Sequence, residues 1–347
     1  MVKRFAFAVP GDLATPTGGY AYDRRMIAEL GKLGWQIDII DLGQGFPFPS
    51  DATRKMAHER LLAVPDNRVV VVDGLALGVL PETAQKLDRL LALVHHPLAV
   101  ESGISKEQAE GLRVSEQAAL AAARHVVVTS AMTAQQLSSH YAVPAERITV
   151  VRPGCDPVPP APRRAGDTVR LLSVGAVVPR KGYDVLISAL ATLNDLPWSL
   201  TIAGDCTRNP KAAAQLKADI ERHGLGNRVA ILGAVSAQRL DELYAEADVF
   251  ALASHFEGYG MAYAEAIAHG VPVAGTNAGA IPGTVPPDAG LLVAPDDASA
   301  FASALRRLIG NKDERQIFAD AARSAAAHLP TWPESAKLFA RALEART

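Results

Sequence analysis

The chain has 347 residues, a length typical of two domains rather than one. Hydrophobic residues make up 49% and charged residues 21% of it, as in an ordinary globular protein. The formal net charge of -2 at pH 7 excludes the strong basic excess that nucleic-acid binding requires, so we expect no nucleic-acid partner.

Cysteine usage and the apolar runs indicate a cellular compartment. Cys155 and Cys206 lie far apart and lack metal-ligand spacing, which is typical of free thiols in a reducing compartment. The first apolar run is cut by Pro10 and is too short for a secretory signal, and no run of eighteen apolar residues predicts a membrane span. We therefore expect a cytoplasmic protein.

Strand-like and helix-like runs alternate throughout the first half, which predicts an α/β domain with a parallel sheet. The predicted strands are residues 5–9, 37–41, 69–73, 90–94, 126–129 and 148–151. The predicted helices are residues 20–33, 115–123 and 133–140, with a loop at 11–19. A basic helix at 51–62 is compatible with contact to anionic lipid, although a solvated face is the plainer explanation of its charges.

Several polar residues follow strands of this half. Gly18 and Gly19 lie between the first strand and the first helix, where glycines also serve ordinary turns. His95 and His96 end a buried strand, and Asp73 ends a neighbouring one. A structural histidine and a helix-capping aspartate are the plainer interpretations of these positions.

A proline-rich, basic connector at residues 157–164 separates the first half from a second α/β cycle. There the predicted strands are 170–174, 199–203, 229–232, 249–253, 272–275 and 291–293. The predicted helices are 185–193, 211–223, 237–245, 299–308 and 313–327, and a last helix covers 334–345. Asp296 and Asp297 precede a helix and are expected to cap it rather than to bind a metal.

The stretch F-E-G-Y-G-M-A-Y-A-E-A-I-A-H-G, residues 256–270, carries the strongest functional signal. It leaves a buried strand, passes two glycines and enters a helix, so backbone N–H groups at the helix start can bind a phosphate. Glu257 precedes these glycines and Glu265 lies in the helix. Alone, the pair is equally compatible with a loop charge and a solvated helix face.

A second stretch, residues 173–182, leaves a strand, turns at Gly175 and presents Arg180 and Lys181 before a helix. Fixed cations can stabilise the charge that gathers on a leaving diphosphate. A solvated turn is the plainer interpretation of two adjacent basic residues.

The block at 256–270 resembles the E-x7-E block of retaining nucleotide-sugar glycosyltransferases of family four, with E-G-Y-G where that family commonly has E-G-F-G. The resemblance implies a GT-B fold, that is, two doubly wound Rossmann-like domains facing each other across a cleft. The N-terminal, acceptor-side domain would cover residues 1–160, with 331–347 crossing back. The C-terminal domain, residues 165–330, would bind the donor.

The resemblance also implies roles for individual residues. Glu265 would hold the donor ribose, Glu257 the donor sugar hydroxyls, and Arg180 with Lys181 the diphosphate. His95 would contact the donor sugar or the acceptor, with Asp73 and His96 as weaker candidates for acceptor contacts. The other expected donor-binding residues are Gly18, Gly19, Gly233, Ser254, Gly258, Tyr259, Gly260 and Met261.

The expected partners are a nucleotide-diphospho-sugar as co-substrate and an unidentified acceptor (a sugar, a lipid-linked molecule or a small molecule), with no metal and no other cofactor. The sequence departs from the family at Ala176, where an arginine is common, and at Gly283, where a glutamate is common. A non-catalytic nucleotide-sugar binding module is the first alternative. An NAD-dependent oxidoreductase is the second, but residues 11–19 lack the G-x-G-x-x-G spacing that it requires.

Overall fold

A computed structural model describes residues 3–101, 103–158 and 166–345. The chain forms two compact units, one of Met1–Gly154 with Pro330–Thr347 and the other of Cys155–Leu329. Residues 159–164 of the predicted connector lie outside the described residues.

The first unit is built on six parallel strands in the order β2-β1-β3-β4-β5-β6. These strands are β1 (Arg4–Val9), β2 (Gln36–Asp41), β3 (Val69–Asp73), β4 (Leu90–Val94), β5 (His125–Val128) and β6 (Ile148–Val150). The helices between them are α1 (Gly18–Lys32), α2 (Asp51–Leu62), α3 (Gly74–Leu77), α4 (Pro81–Ala84), α5 (Lys106–Ala122) and α6 (Ala131–His140). Strands β3 and β4 are buried along their whole length, because helices cover both faces of a parallel sheet.

The second unit repeats the architecture with the strand order β12-β11-β10-β7-β8-β9. Its strands are β7 (Val169–Val174), β8 (Trp198–Ala203), β9 (Val229–Gly233), β10 (Val249–Ala251), β11 (Val273–Thr276) and β12 (Gly290–Val293). Its helices are α7 (Tyr183–Ala191), α8 (Pro210–Arg222), α9 (Ala237–Glu246), α10 (Met261–Ala268), α11 (Ile281–Thr284), α12 (Ala298–Gly310) and α13 (Lys312–Ala326). The predicted α/β class with two doubly wound parallel sheets is therefore confirmed.

The last helix, α14 (Trp332–Glu344), belongs to the first unit. Its N-terminus is closed by a capping box in which Thr331 and Glu334 satisfy each other's backbone N–H groups. Trp332 packs against Tyr22 of α1 with ring centroids 5.9 Å apart, and Ser335 donates a hydrogen bond to the carbonyl of Arg152 at 2.7 Å.

Several helix boundaries differ from the sequence prediction, and two of the differences have a clear physical reason. The structure places Gly18 and Gly19 in the first turn of α1, not in a loop, because the hydroxyl of Thr17 caps that turn by accepting from the N–H of Tyr20. Helix α5 begins at Lys106, well before the predicted residue 115, because Ser105 and Gln108 form a capping box. Its first turns are mostly exposed and therefore lack the apolar period on which the prediction depended.

In each sheet the chain reverses its direction of strand addition once, and a crevice opens at that point beyond the carboxyl ends of the strands. In the first unit the reversal lies between β1 and β3, and in the second between β7 and β10. Loops that leave these four strands are therefore the expected places for chemistry. Among the described residues, no helix combines the length and the apolar character needed to cross a bilayer.

Candidate functional site

The loops after β7 and β10 meet in a buried cluster of charges centred on Glu257. Lys181 Nζ donates to Glu257 Oε1 at 2.6 Å, and Arg180 Nη1 donates to Glu257 Oε2 at 3.2 Å. Ser254 adds a hydrogen bond to Oε1 at 2.7 Å. Only 6% of the Glu257 residue surface is exposed, so its charge is compensated by protein groups rather than by water.

Two glycines allow these loops to approach each other. Gly182 has a φ of 61°, and a Cβ there would lie 2.0 Å from the carbonyl oxygen of Ala253 at the end of β10. Gly279 has a φ of 58°, and its Cβ would lie 2.4 Å from the carbonyl oxygen of Glu257. Both positions therefore exclude any larger residue. The N–H of His255 donates to the carbonyl of Arg180 at 2.8 Å and ties the loops together.

Burial alone would raise the pKa of Glu257, but the charges of Lys181 and Arg180 outweigh it and lower that pKa to about 2. For Lys181 burial has the opposite effect and lowers the pKa of the amine, although the charge of Glu257 raises it. The carboxylate is consequently ionised at every pH near neutrality, and the arrangement is a fixed group of one anion and two cations.

Glu265 lies half-buried on α10 and is oriented by an aromatic side chain. Tyr244 of α9 donates its hydroxyl to Glu265 Oε2 at 2.9 Å and stacks on His269 with ring centroids 5.0 Å apart. His269 Nδ1 in turn lies 2.8 Å from the carbonyl oxygen of Glu265. Burial is the main cause that raises the pKa of Glu265, and the Tyr244 hydrogen bond partly offsets it.

Most of the remaining predicted residues of the second unit lie at the start of α10, and Gly233 lies at the end of β9. Gly260 adopts a φ of 89° at the N-cap position, and no side chain caps the helix, so its first N–H groups and the positive end of its dipole are available to an anion. Gly258 and Tyr259 are buried in the preceding turn, and Met261 is the first residue of the helix. Gly233 ends β9, where its carbonyl accepts from the N–H of Gly204 at 2.8 Å.

In the first unit, His95 follows β4 and lies against two buried acids. Its Nε2 is 3.2 Å from Asp23 Oδ1 and 3.7 Å from Asp73 Oδ2. Asp73 also caps α3, because its Oδ1 accepts from the N–H of Leu75 at 2.7 Å. The predicted capping role is therefore confirmed, and the same side chain faces His95 as well. A Cβ on Gly19 would lie 3.2 Å from His95 Cδ2.

The structure thus brings Arg180, Lys181, Ser254 and Glu257 into one cluster. His96 Nε2 lies 2.8 Å from Glu101 Oε1. Asp297 caps α12 through the N–H of Ala300 at 2.8 Å, as predicted.

Sequence reasoning missed Asp23 and Tyr244. The signal for Asp23 was an acid on the face of α1 that otherwise carries Tyr22, Met26 and Leu30. The signal for Tyr244 was a hydroxyl on the buried side of α9, since a buried tyrosine usually finds a hydrogen-bond partner.

Among the described residues, one group of at least three histidine, cysteine or acidic side chains has ligand atoms close enough to share a metal ion. It consists of Asp23, Asp73 and His95, whose ligand atoms lie within 4.8 Å of one another.

Comparison with known proteins shows what this chain is similar to in sequence and in fold. The sequence model of the family described as "Glycosyl transferases group 1" matches residues 159–325. A D-inositol 3-phosphate glycosyltransferase of Xylanimonas cellulosilytica is 32% identical over 244 residues, which cover 65% of this chain and 58% of the relative. An MMP alpha-(1->4)-mannosyltransferase of Mycolicibacterium hassiacum is 28% identical over 82% of this chain and 72% of the relative. The chain thus spans little more than half of the first relative's length.

Solved structures show the same fold over almost the whole chain. Sucrose-phosphate synthase from Thermosynechococcus elongatus superimposes with a TM-score of 0.83 at 22% identity, covering 99% of both chains. Anabaena HepE, solved in complex with UDP and glucose, gives a TM-score of 0.75 at 20% identity over 98% of this chain and 100% of that one. Fold and site together define an α/β protein of the GT-B type with two Rossmann-like units. Through its second unit, the chain is similar to the group 1 glycosyl transferases.

Removing the amine of Lys181 should destabilise the protein, because Glu257 would remain buried with Arg180 as its remaining cation. We expect Lys181→Met to lower the free energy of unfolding by about 3 kcal/mol, the size typical of a broken buried ion pair. The Glu257 carboxyl has a pKa lowered to about 2, so its contribution to stability is present above its ordinary pKa and is lost as the pH falls toward 2. The variant, whose carboxyl pKa is higher, should lose that contribution at a higher pH.

Urea unfolding at several pH values measures both effects, and Lys211→Met, which removes an exposed lysine from α8, is the control. The double variant Lys181→Met/Glu257→Gln should be less destabilised than the sum of its single variants. Equal stability of Lys181→Met and Lys211→Met would contradict the role of the buried pair.

Proposed function

We propose that this chain is a retaining glycosyltransferase that moves a sugar from a nucleotide-diphospho-sugar to an acceptor hydroxyl without a metal ion. The observation that carries the proposal is the pair of cations, Arg180 and Lys181, held on Glu257 next to the uncapped start of α10. The match of residues 159–325 to the model of the group 1 glycosyl transferases supports the reaction class.

The cation pair is suited to a diphosphate leaving group. When the bond between sugar and diphosphate breaks, negative charge gathers on the phosphate oxygens, and cations already fixed in place lower the barrier. The ammonium of Lys181 carries three protons, of which one goes to Glu257, so two can serve phosphate oxygens. The N–H groups at the start of α10 add the positive end of a helix dipole. This arrangement supports metal-independent transfer.

The two glutamates are suited to the rest of the donor. Glu257 Oε1 accepts from Lys181 and Ser254, whereas Oε2 accepts from Arg180, which leaves Oε2 with capacity for a sugar hydroxyl. Glu265, oriented by Tyr244, would accept from the ribose diol. Because Glu257 is neutralised by two cations and its pKa is about 2, it is a weak nucleophile, which favours same-face substitution over a covalent intermediate.

The first unit would supply the groups that act on the transferred sugar and the acceptor. We assign His95 to the transfer itself, Gly18 and Gly19 to the donor phosphates, and Asp73 and His96 to weaker acceptor contacts. The first-mentioned relative is named for inositol 3-phosphate and the other for an alpha-(1->4)-mannosyl linkage, so a polyol phosphate and a sugar are the first acceptors to test. The cytoplasmic location and contact with a membrane surface remain predictions.

The reaction class is tested by incubating the protein with UDP-, GDP- and ADP-sugars, with and without an acceptor panel. We expect release of the nucleoside diphosphate to depend on the acceptor, and we expect the anomeric configuration of the donor to be kept in the product. Activity should survive an excess of EDTA, since Arg180 and Lys181 already face the diphosphate. A binding module would retain nucleotide affinity and turn over no donor, and a strict need for added Mg²⁺ or Mn²⁺ would contradict the metal-independent part.

The ribose assignment is tested by Glu265→Gln, which keeps the size of the side chain and removes its charge. A hydrogen bond to a charged acceptor contributes about 1.5–3 kcal/mol, so the affinity for the nucleoside diphosphate should fall roughly tenfold or more. Calorimetry measures this change, and Glu242→Gln on the exposed side of α9 is the matched control. Equal nucleotide affinity in the two variants would refute the assignment.

A further inference from the structure

His95 is enclosed on several sides in the first unit. The ring of Tyr22 meets the imidazole edge-on with centroids 5.4 Å apart, and the hydroxyl of Thr129 donates to the backbone carbonyl of His95 at 3.2 Å. Gly19 leaves room for the ring, because a Cβ there would lie 3.4 Å from Nε2. The imidazole side chain nevertheless keeps 19% of its surface exposed, so it is enclosed without being sealed from solvent.

Two acids face the same ring nitrogen. Asp23, which is fully buried on α1, places Oδ1 3.2 Å from Nε2, and Asp73, 3% exposed at the end of β3, places Oδ2 3.7 Å from it. Carboxylate oxygens accept hydrogen bonds, so Nε2 must carry the proton, and Nδ1 is the nitrogen that the acids do not engage. The ring therefore has a defined tautomer and a defined orientation.

The surroundings of Asp73 disfavour its charged form. Burial first, and the neighbouring Asp23 second, raise the pKa of Asp73 to about 7. Asp23 Oδ2 is buried and has no hydrogen-bond partner among the described residues. Burial opposes a charged imidazole, but Asp23, followed by Asp73, raises the pKa of His95 above its ordinary value.

We propose that Asp23 is a positioning residue for sugar transfer: its buried Oδ1 accepts from Nε2 of His95 and, with Asp73 on the same side of the ring, fixes the orientation and the tautomer of the imidazole. This inference rests on the proposed function, in which His95 acts in the transfer. The titratable groups that face the imidazole in the described chain are Asp23 and Tyr22 of α1 and Asp73 of β3. Asp23 lies nearest to Nε2 and is the partner whose loss should change the ring most.

The test compares Asp23→Asn with Asp73→Asn, which preserve shape, and asparagine at position 73 can still cap α3. The pKa of His95 is measured by NMR titration of its imidazole, assigned with His95→Gln. We expect Asp23→Asn to lower that pKa by about one unit or more, because an opposite charge within hydrogen-bonding distance is lost. Asp73→Asn should lower it by less. Asp38→Asn, on β2 and paired with Arg4, is the matched control and should leave it unchanged.

The second readout is kinetic. Asp23→Asn should reduce kcat about tenfold or more and leave the donor KM within about twofold, because the ring and not the donor pocket is disturbed. Because the loss of Asp23 lowers the His95 pKa, the midpoint of the pH profile of kcat should lie at a lower pH in Asp23→Asn than in the wild type. An unchanged His95 pKa in folded Asp23→Asn, or an unchanged kcat, would overturn the proposal.

The NMR titration needs no sugar transfer, so the two proposals can fail separately. If the His95 pKa falls as expected while the wild-type protein transfers no sugar, the coupling is supported and the proposed function alone fails. Titration with Zn²⁺ completes the test. Tight Zn²⁺ binding by the wild type, abolished in Asp23→Asn, would overturn the positioning role, because a metal on Nε2 would replace the proton that Asp23 accepts.

Discussion

The buried pair of Lys181 and Glu257 is the interaction on which the second unit's site depends. Each charge taken out of water costs several kcal/mol, so neither residue is stable at its place without the other. Lys181 reaches Glu257 across 76 residues of chain, and their contact fixes the loop after β7 against the loop after β10. Gly182 and Gly279 let the backbones approach closely enough for that contact. The cations are consequently held in position by the protein itself, and preorganisation of this kind makes electrostatic stabilisation effective.

The order of the strands explains where the two charged clusters lie. In the second sheet, β7 and β10 are neighbours although β8 and β9 lie between them in sequence, so the cation loop and the glutamate loop leave the sheet side by side. The first sheet applies the same rule: β1 and β3 are neighbours, β4 follows, and Asp23, Asp73 and His95 come from the helix after β1 and from the ends of β3 and β4. Each sheet thus assembles its charged cluster from segments that are distant in sequence and adjacent in the sheet.

The sequence predicted the strands well because most are buried on both faces and appear as continuous apolar runs, of which Val69–Asp73 is the clearest. The motifs also marked Arg180, Lys181, Glu257 and Glu265 as candidate site residues, and the structure places the first three in contact. The sequence did not predict that Glu257 binds both cations, since such pairing depends on which loops the sheet places side by side. The sequence did not indicate Asp23 for a similar reason. Its partners lie at the ends of two strands, whereas Asp23 lies on a helix, where an acid is ordinarily exposed. The predicted start of helix α5 was too late, because its first turns are stabilised by a cap rather than by an apolar face.

The central claim is that Lys181 and Arg180 are fixed in place to bind a diphosphate, and calorimetric titration tests it most directly. The ligand is whichever of UDP, GDP and ADP binds the wild type. Its affinity is compared with that of the corresponding nucleoside, in the wild type and in Lys181→Met, at a temperature where both proteins are folded. The account predicts that the wild type strongly prefers the diphosphate and that this preference falls about tenfold or more in the variant, as expected for a lost charge-assisted hydrogen bond. The same ratio of affinities in both proteins would contradict the account.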